Sequence, residues 1–542
     1  MINYSMFNQT DNHSFNVFQA ISYCKKTGED CIVFAKGEYH FYPEMAFESV
    51  MCVSNHDIYG FRSVAFLLEQ MKGFCIDGDG SRFIFHGCIV PVYINQSSKI
   101  TLKNVTIDFD KTRVLDCTVT DVSEKFFEVS VSTNGEYFVE NHILNINSGY
   151  GESDTLHTLM IRSEGAGTRY TEETNEEFFG KNPALTVEDI GNRKLRFYNS
   201  SLKPSKGMHL LAKGGKRSLC NIVINKSSDV KLDSIRMHSG YAMGVLAQVS
   251  HNITIDRMEV KAQEGKLFSL AADATHFVHC TGLVKVSNSS FSEQLDDALN
   301  VHGIFTKIVH QAEDSVIVRY MQKSAKGISI YDAGDEISIL HPKTLVNGQK
   351  YIIQKVEVIN LVYTKLYLDR LMGESAIGNV VENLTKNCDL LFENNRVFNN
   401  RARGMLIGTK GKVEIRNNYF QTTGSSVLFE SDGEYWFESG GTTDVRIYDN
   451  TFEHCCIGPA WWGTHIIQTV PRKESVPGFF YHGVIRITDN NFVKNTAPVL
   501  YTDNVDKVVF QNNCFDRNPV YSVERCGKTD LERFSSKAIR SI

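Results

Sequence analysis

The thirteen cysteines include no CxxC pair and no metal-ligand spacing; Cys455–Cys456 is the only close pair. An odd, scattered set excludes a disulfide framework and reads as reduced thiols filling cores. No run of 18 apolar residues occurs, so no segment is expected to span a membrane as a helix. No block of basic residues occurs either, and the formal net charge is −6. Nucleic acid, anionic membranes and polyanionic substrates are therefore not the expected partners. The opening stretch MINYSMFNQTDNHSFNVF lacks both the basic and the apolar regions of an export signal. As the sequence stands a cytoplasmic location is expected, or an extracellular or periplasmic one if a leader has been removed.

What is present starts with size: 542 residues, 42% of them hydrophobic, enough to bury a sizeable core. Length alone allows two to four domains, or one large solenoid with insertions. An internal repeat favours the solenoid. The pattern apolar–x–apolar–x–Asn/Asp–x–x–apolar recurs as VKVSNSSF (284–291), VEIRNNYF (413–420), VRIYDNTF (445–452), IRITDNNF (485–492) and VVFQNNCF (508–515). Looser copies are VKLDSIRM (230–237), ITIDRMEV (253–260) and LLFENNRV (390–397). Met237 to Val260, Val397 to Phe420 and Phe492 to Phe515 are each 23 residues; other gaps of 31, 32 and 40 look like loops spliced into a coil. Short period-2 strands ending in Asn-rich turns, repeated every 20–25 residues or so, suit a parallel β-helix. Alternate apolar residues stack inside, and turn Asn residues tolerate the left-handed conformation. An antiparallel sandwich would also show many short strands, but the in-phase motif and the scarcity of hairpin signals such as Asn-Gly speak against it.

The chain is thus expected to be all-β, a parallel β-helix. Residues 1–110 supply an N-terminal cap, with VFQAISYCKK (17–26) as a helix, and the first coils. Two stretches, 111–220 and 305–386, carry longer alternating strands such as VLDCTVTDV and SVIVRYM, and are read as inserted β-barrel-like domains. Within the first, YTEETNEEFF is read as a solvated acidic loop. Residues 221–304 and 387–542 are read as the central and C-terminal coils.

The chemistry centres on QLDDALNVHG (294–303), where adjacent carboxylates interrupt an apolar run. Leaving water costs each of them free energy, and they repel one another. One 23-residue coil before Asp296 stands Asp273 in LAADATHFVHC, so Asp273 is expected directly above Asp296. In the coil after the second insertion, the column of Asp297 falls on Arg403. Nearby candidates for binding a substrate are Asn300, His302, His276, and Glu430, Trp436 and Glu438 of LFESDGEYWFESGG, with PAWWG (459–463) one coil on. Three carboxylates, an arginine and aromatic rings suit glycoside chemistry: one carboxyl protonated, another ionised, a ring to face the sugar. Each piece has a bland counterpart. A lone Asp-Asp can be a turn, His276 and His302 can be satisfied structural histidines, Trp461 and Trp462 can cover a coil end, and an acidic cluster can hold Ca²⁺. The acidic residues are not spaced as a compact Ca²⁺ loop, so no metal and no cofactor is expected.

ADATHF, QLDDALNVHG, RARGMLIG and YWFESG, in this order, resemble glycoside hydrolase family 110, exo-acting α-1,3-galactosidases that release terminal galactose from blood-group-B-type glycans. The resemblance runs along nearly the whole chain. It implies a right-handed parallel β-helix with inserted β-barrel domains, hydrolysis with inversion, and a galactose-terminated oligosaccharide or glycoconjugate as partner. A homodimer is left open. It also implies Asp273, Asp296 and Asp297 as the catalytic trio, with Asp296 the general acid and the other two activating water. In a regular strand Asp296 and Asp297 would point to opposite faces, so a bulge or turn is expected there. A polygalacturonase-like enzyme is the competing catalytic reading, although no basic uronate site is evident. The non-catalytic one is a glycan-binding, tailspike-like β-helix.

Overall fold

The computed structural model describes residues 1–133, 135–147, 152–162, 175–346, 348–470 and 474–532. Each full coil has three short parallel strands. One coil runs Thr281–Ser287, Ser290–Ser292 and Leu299–Ile304; the next runs Cys388–Glu393, Arg396–Phe398 and Met405–Ile407; a third runs Lys412–Arg416, Tyr419–Gln421 and Val427–Phe429. The fold is an all-β parallel β-helix, as the repeat predicts. Register follows the repeat: Val230 pairs Ile253, Leu390 pairs Val413 and Ile485 pairs Val508, while the longer gaps join Ile253 to Val284, Val413 to Val445 and Val445 to Ile485.

The two Asn/Asp positions of the motif do different work. The first takes a left-handed backbone conformation, as at Asn417 (φ 55°), Asp449 (φ 55°) and Asn512 (φ 55°), which these side chains tolerate. The second is buried and forms a ladder. The N–H groups of Asn395, Asn418, Asn450 and Asn490 donate to Oδ1 of Asn418, Asn450, Asn490 and Asn513 at 2.8 to 3.0 Å. The ladder satisfies backbone donors that the corner would otherwise bury unpaired. The terminal apolar position builds a ring stack, with Phe420, Phe452, Phe492 and Phe515 centred 4.9 to 5.2 Å apart.

The helix His13–Thr27, capped by Asn12 and ended by Gly28 in left-handed conformation, packs Val17, Ala20 and Ile21 into the main core. Two segments leave the solenoid. Strands from Val114–Val122 to His209–Gly214 form a separate sheet of nine strands with its own core. Its two end strands, Glu136–Glu140 and Thr186–Gly191, curl toward each other, and Val187 N–H donates to the His142 carbonyl in the turn after the first of them at 2.9 Å. Strands from Thr306–Gln311 to Val380–Asn383 do close into a six-stranded barrel. The acidic run expected as solvated loop is in part neither. Residues 170–174 lie outside the described residues, but Glu176–Phe178 is a strand paired with Ser153–Arg162, and Glu177 is buried. Asn182 and Ser200 satisfy the Glu177 carboxylate, which makes its burial tolerable. No described helix is long and apolar enough to cross a membrane.

Candidate active site

At one corner the coils approach closely, and the residue before each third strand is small: Gly244, Ala274, Ala298, Gly404 and Ser426 precede the paired residues Val245, Thr275, Leu299, Met405 and Val427. A Cβ on Gly404 would stand 2.5 Å from the Ser426 carbonyl oxygen, so this corner needs glycine there. The residue one step earlier points outward from the corner, and there the sequence places Asp273, Asp297 and Arg403. Thr275 pairs Leu299, a step of 24 residues. Continued backwards, that register sets Asp273 against Asp297, not above Asp296 as a 23-residue coil predicts. The extra residue is a β-bulge in strand Thr281–Ser287, where His251 pairs Thr281 but Ile253 pairs Val284. The bend carrying Asp296, between strands Ser290–Ser292 and Leu299–Ile304, is as long as its counterpart in the next coil. That bend brings both neighbouring carboxylates to one cavity.

Asp273, Asp296 and Asp297 each offer an oxygen within 4.8 Å of the others, and all three are buried. Arginines divide the charge. Arg403 grips Asp297 twice, Nε to Oδ1 at 3.0 Å and Nη2 to Oδ2 at 2.9 Å, and its backbone N–H also donates to Oδ1 at 2.9 Å. Arg217 reaches Asp296 Oδ2 at 2.9 Å. Burial and the facing charges of Asp296 and Asp297 push the Asp273 carboxyl well above the usual range. Burial alone would raise Asp296, but Arg217, Arg403, Lys213 and Arg401 outweigh it and hold this carboxyl low. Burial pushes Asp297 up to about 6 against the pull of Arg403. These directions favour a proton on Asp273 and charge on Asp296, because Arg217 and Lys213 lie beside Asp296. The resemblance implies the opposite order, with Asp296 as the acid.

The cavity above the trio measures about 870 Å³, the size of a small-ligand pocket. Asn300, His276, Glu430, Trp436 and Glu438 line it as the sequence suggests, with Trp461 and Trp462 at its wall. His302 does not. It lies behind His276, buried, and borders a smaller space of about 250 Å³ with His56 and Glu438. Trp462 is more than a coil cover: Arg401 and Arg403 stack on its ring at 4.8 and 5.5 Å. Several contributors have no signature in the repeat. Arg217 follows the first inserted domain, and Asn55 belongs to the N-terminal coils. Glu176 of the inserted domain is clamped by Arg401, which pins residues 175–178 over the cavity. Burial, with Arg401 and Arg217, pushes Lys213 of that domain down to about 7.

A pocket whose three clustered carboxyl groups differ in proton affinity, with exposed indole rings beside them, can cleave a glycosidic bond by acid–base chemistry. A family model for a right-handed beta helix region matches residues 377–533. Alpha-1,3-galactosidase B of Phocaeicola vulgatus is 30% identical over 525 residues, 92% of this chain and 87% of that one. Alpha-1,3-galactosidase B of Bacteroides thetaiotaomicron is 29% identical over 96% of this chain and 86% of its own. Alpha-1,3-galactosidase A of Shewanella woodyi is 29% identical over 91% and 82%. Among solved structures, a mannuronan C-5 epimerase A-module of Azotobacter vinelandii aligns over 97% of this chain and 99% of its own, at 9% identity and a TM-score of 0.40. A mutant tailspike protein of E. coli bacteriophage HK620, in complex with a pentasaccharide, aligns over 96% and 61% at 10% identity and a TM-score of 0.42. The protein is a glycoside hydrolase of the galactosidase type. The chain belongs to the α-1,3-galactosidase family.

Proposed function

We propose that the protein is an inverting exo-α-1,3-galactosidase that removes terminal galactose from linear or blood-group-B-type glycans. The observation that carries this reading is the pocket floor: three carboxyl groups together, with Arg217 on Asp296 and Arg403 on Asp297, while no arginine among the described residues is within ion-pair distance of Asp273. Asp273 gives its proton to the glycosidic oxygen as the C1–O bond breaks. A water held by Asp296 and Asp297 attacks C1 and passes a proton to Asp297, which returns it to Asp273 after product leaves. Residues 175–178 over the cavity, pinned through Glu176 and Arg401, favour a chain end over an internal sugar.

One observation favours a second reading, retention. The facing oxygens lie within 4.8 Å, closer than the roughly 6.5–9.5 Å between carboxyl groups of an inverting pair. Against it, a carboxylate with both oxygens on Arg403 is a poor nucleophile and a good holder of water. NMR of sugar released from linear and fucose-branched α-1,3-galactosyl trisaccharides decides. β-Galactose appearing first supports inversion, α-galactose establishes retention, and no release from either substrate rejects the function.

A further inference from the structure

Behind Asp273 the two histidines form a hydrogen-bonded chain with a single end that can only accept. His302 Nδ1 lies 2.6 Å from the carbonyl oxygen of Gly303, so that nitrogen carries a hydrogen. His302 Nε2 faces His276 Nε2 at 2.8 Å, and His276 Nδ1 faces Asp273 Oδ2 at 2.6 Å. If both rings are neutral, His302 Nε2 is bare and accepts from His276 Nε2–H. His276 Nδ1 is then bare as well and can only accept, so the hydrogen between it and Asp273 belongs to the carboxyl. Every other arrangement needs an imidazolium, at His276 or at His302, and a carboxylate at Asp273.

Both rings are almost fully buried, at 1% and 5% exposure, which disfavours the charged arrangement. The groups facing the chain act unequally. Asp296, Asp297, Arg217 and Arg403 face Asp273; Arg217 and His56 face His276; His279 faces His302. Glu438, 3.6 Å from His302 Nε2, pulls toward an imidazolium, but it is beyond hydrogen-bond distance. We propose that His276 and His302 are a tautomer lock, positioning residues that hold the proton on Asp273, and not ligands of the sugar. The lock deepens the catalytic reading above and rests on it.

A hydrogen bond to the neutral carboxyl keeps it neutral, so losing the lock lets Asp273 ionise sooner. In His302→Phe, His276 is free to move its hydrogen to Nδ1 and donate to an Asp273 carboxylate. The alkaline limb of kcat/KM is then expected to fall by about one pH unit. His302→Gln presents an amide N–H to Gly303 and an amide oxygen to His276, and returns the limb to its wild-type position. An unmoved limb in His302→Phe, or the same shift in both variants, overturns the lock. ¹⁵N NMR of histidine-labelled wild-type protein needs no variant: hydrogen on His276 Nε2 and a bare Nδ1 are expected, and a protonated Nδ1 overturns the proposal. If wild-type protein releases no galactose, the function fails while the NMR result still decides the lock.

Discussion

Replacing Arg403 by methionine separates its structural role from its catalytic one. Its guanidinium engages both oxygens of Asp297 and stacks on Trp462, and its side chain is largely buried. Breaking a buried ion pair by removing one partner costs about 3–5 kcal/mol where the survivor must stay charged. Asp297 need not. Its carboxyl already sits at about 6, so taking a proton at pH 7 costs it only roughly 1 kcal/mol. Arg403→Met is therefore expected to lose about 3 kcal/mol in urea unfolding at pH 7, and about 1 kcal/mol less at pH 5. Turnover suffers more than stability. A protonated Asp297 cannot take the proton of the attacking water, so kcat/KM should fall by about 100- to 10,000-fold. The acid limb of the pH profile, expected near 6 in the wild type, should move up past neutrality. The assay is galactose release from an α-1,3-linked galactobiose between pH 4 and 9. A variant whose acid limb stays near 6 at close to wild-type turnover would refute the role given to the Arg403–Asp297 pair.

Asp116, in the first inserted domain, is pushed up to about 6 by burial, against His209 and Lys266. Its folded value exceeds its unfolded value of 3.8, so its stabilising contribution is present below that value and lost as pH rises through about 6. Asp116→Asn should therefore gain about 2 kcal/mol at pH 7 and little at pH 4, and an equal gain at both pH values would contradict this. Trp461, exposed at the cavity wall, offers a sugar platform; Trp461→Ala should raise KM about tenfold with kcat nearly unchanged. A fall in kcat at constant KM would place Trp461 elsewhere in the mechanism. Asn450→Ala removes the acceptor of the Asn418 N–H and the donor to Ile415 O, at a cost of about 2–3 kcal/mol by denaturant titration. A loss below about 1 kcal/mol would mean that water replaces the ladder.

The solenoid was legible because its signals are local. Alternation in VEIRNNYF selects a strand, and its paired Asn residues select a corner where one turns left-handed and the other reaches the neighbouring coil. Counting along that repeat sufficed to put Arg403 beside Asp297 across 106 residues. The same counting missed by one at Asp273, because a β-bulge in strand Thr281–Ser287 adds a residue to that coil ahead of the motif from which the count is made. His302 is near enough in sequence to the aspartates to suggest a substrate contact, yet its ring lies behind His276, Nε2 to Nε2 at 2.8 Å.

The repeat and its embedded aspartates, both carried by near-neighbour preferences, were determined by the sequence alone: an all-β solenoid with carboxylates gathered at one corner. Which carboxyl keeps the proton was decided only by the tertiary structure. Coulomb interactions act through space at a few ångströms, and the cations that set them, Arg217 and Lys213, lie in or beside an inserted domain whose sequence has no register with the coils. The roof over the pocket is tertiary for the same reason, since Glu176 meets Arg401 across 225 residues of chain.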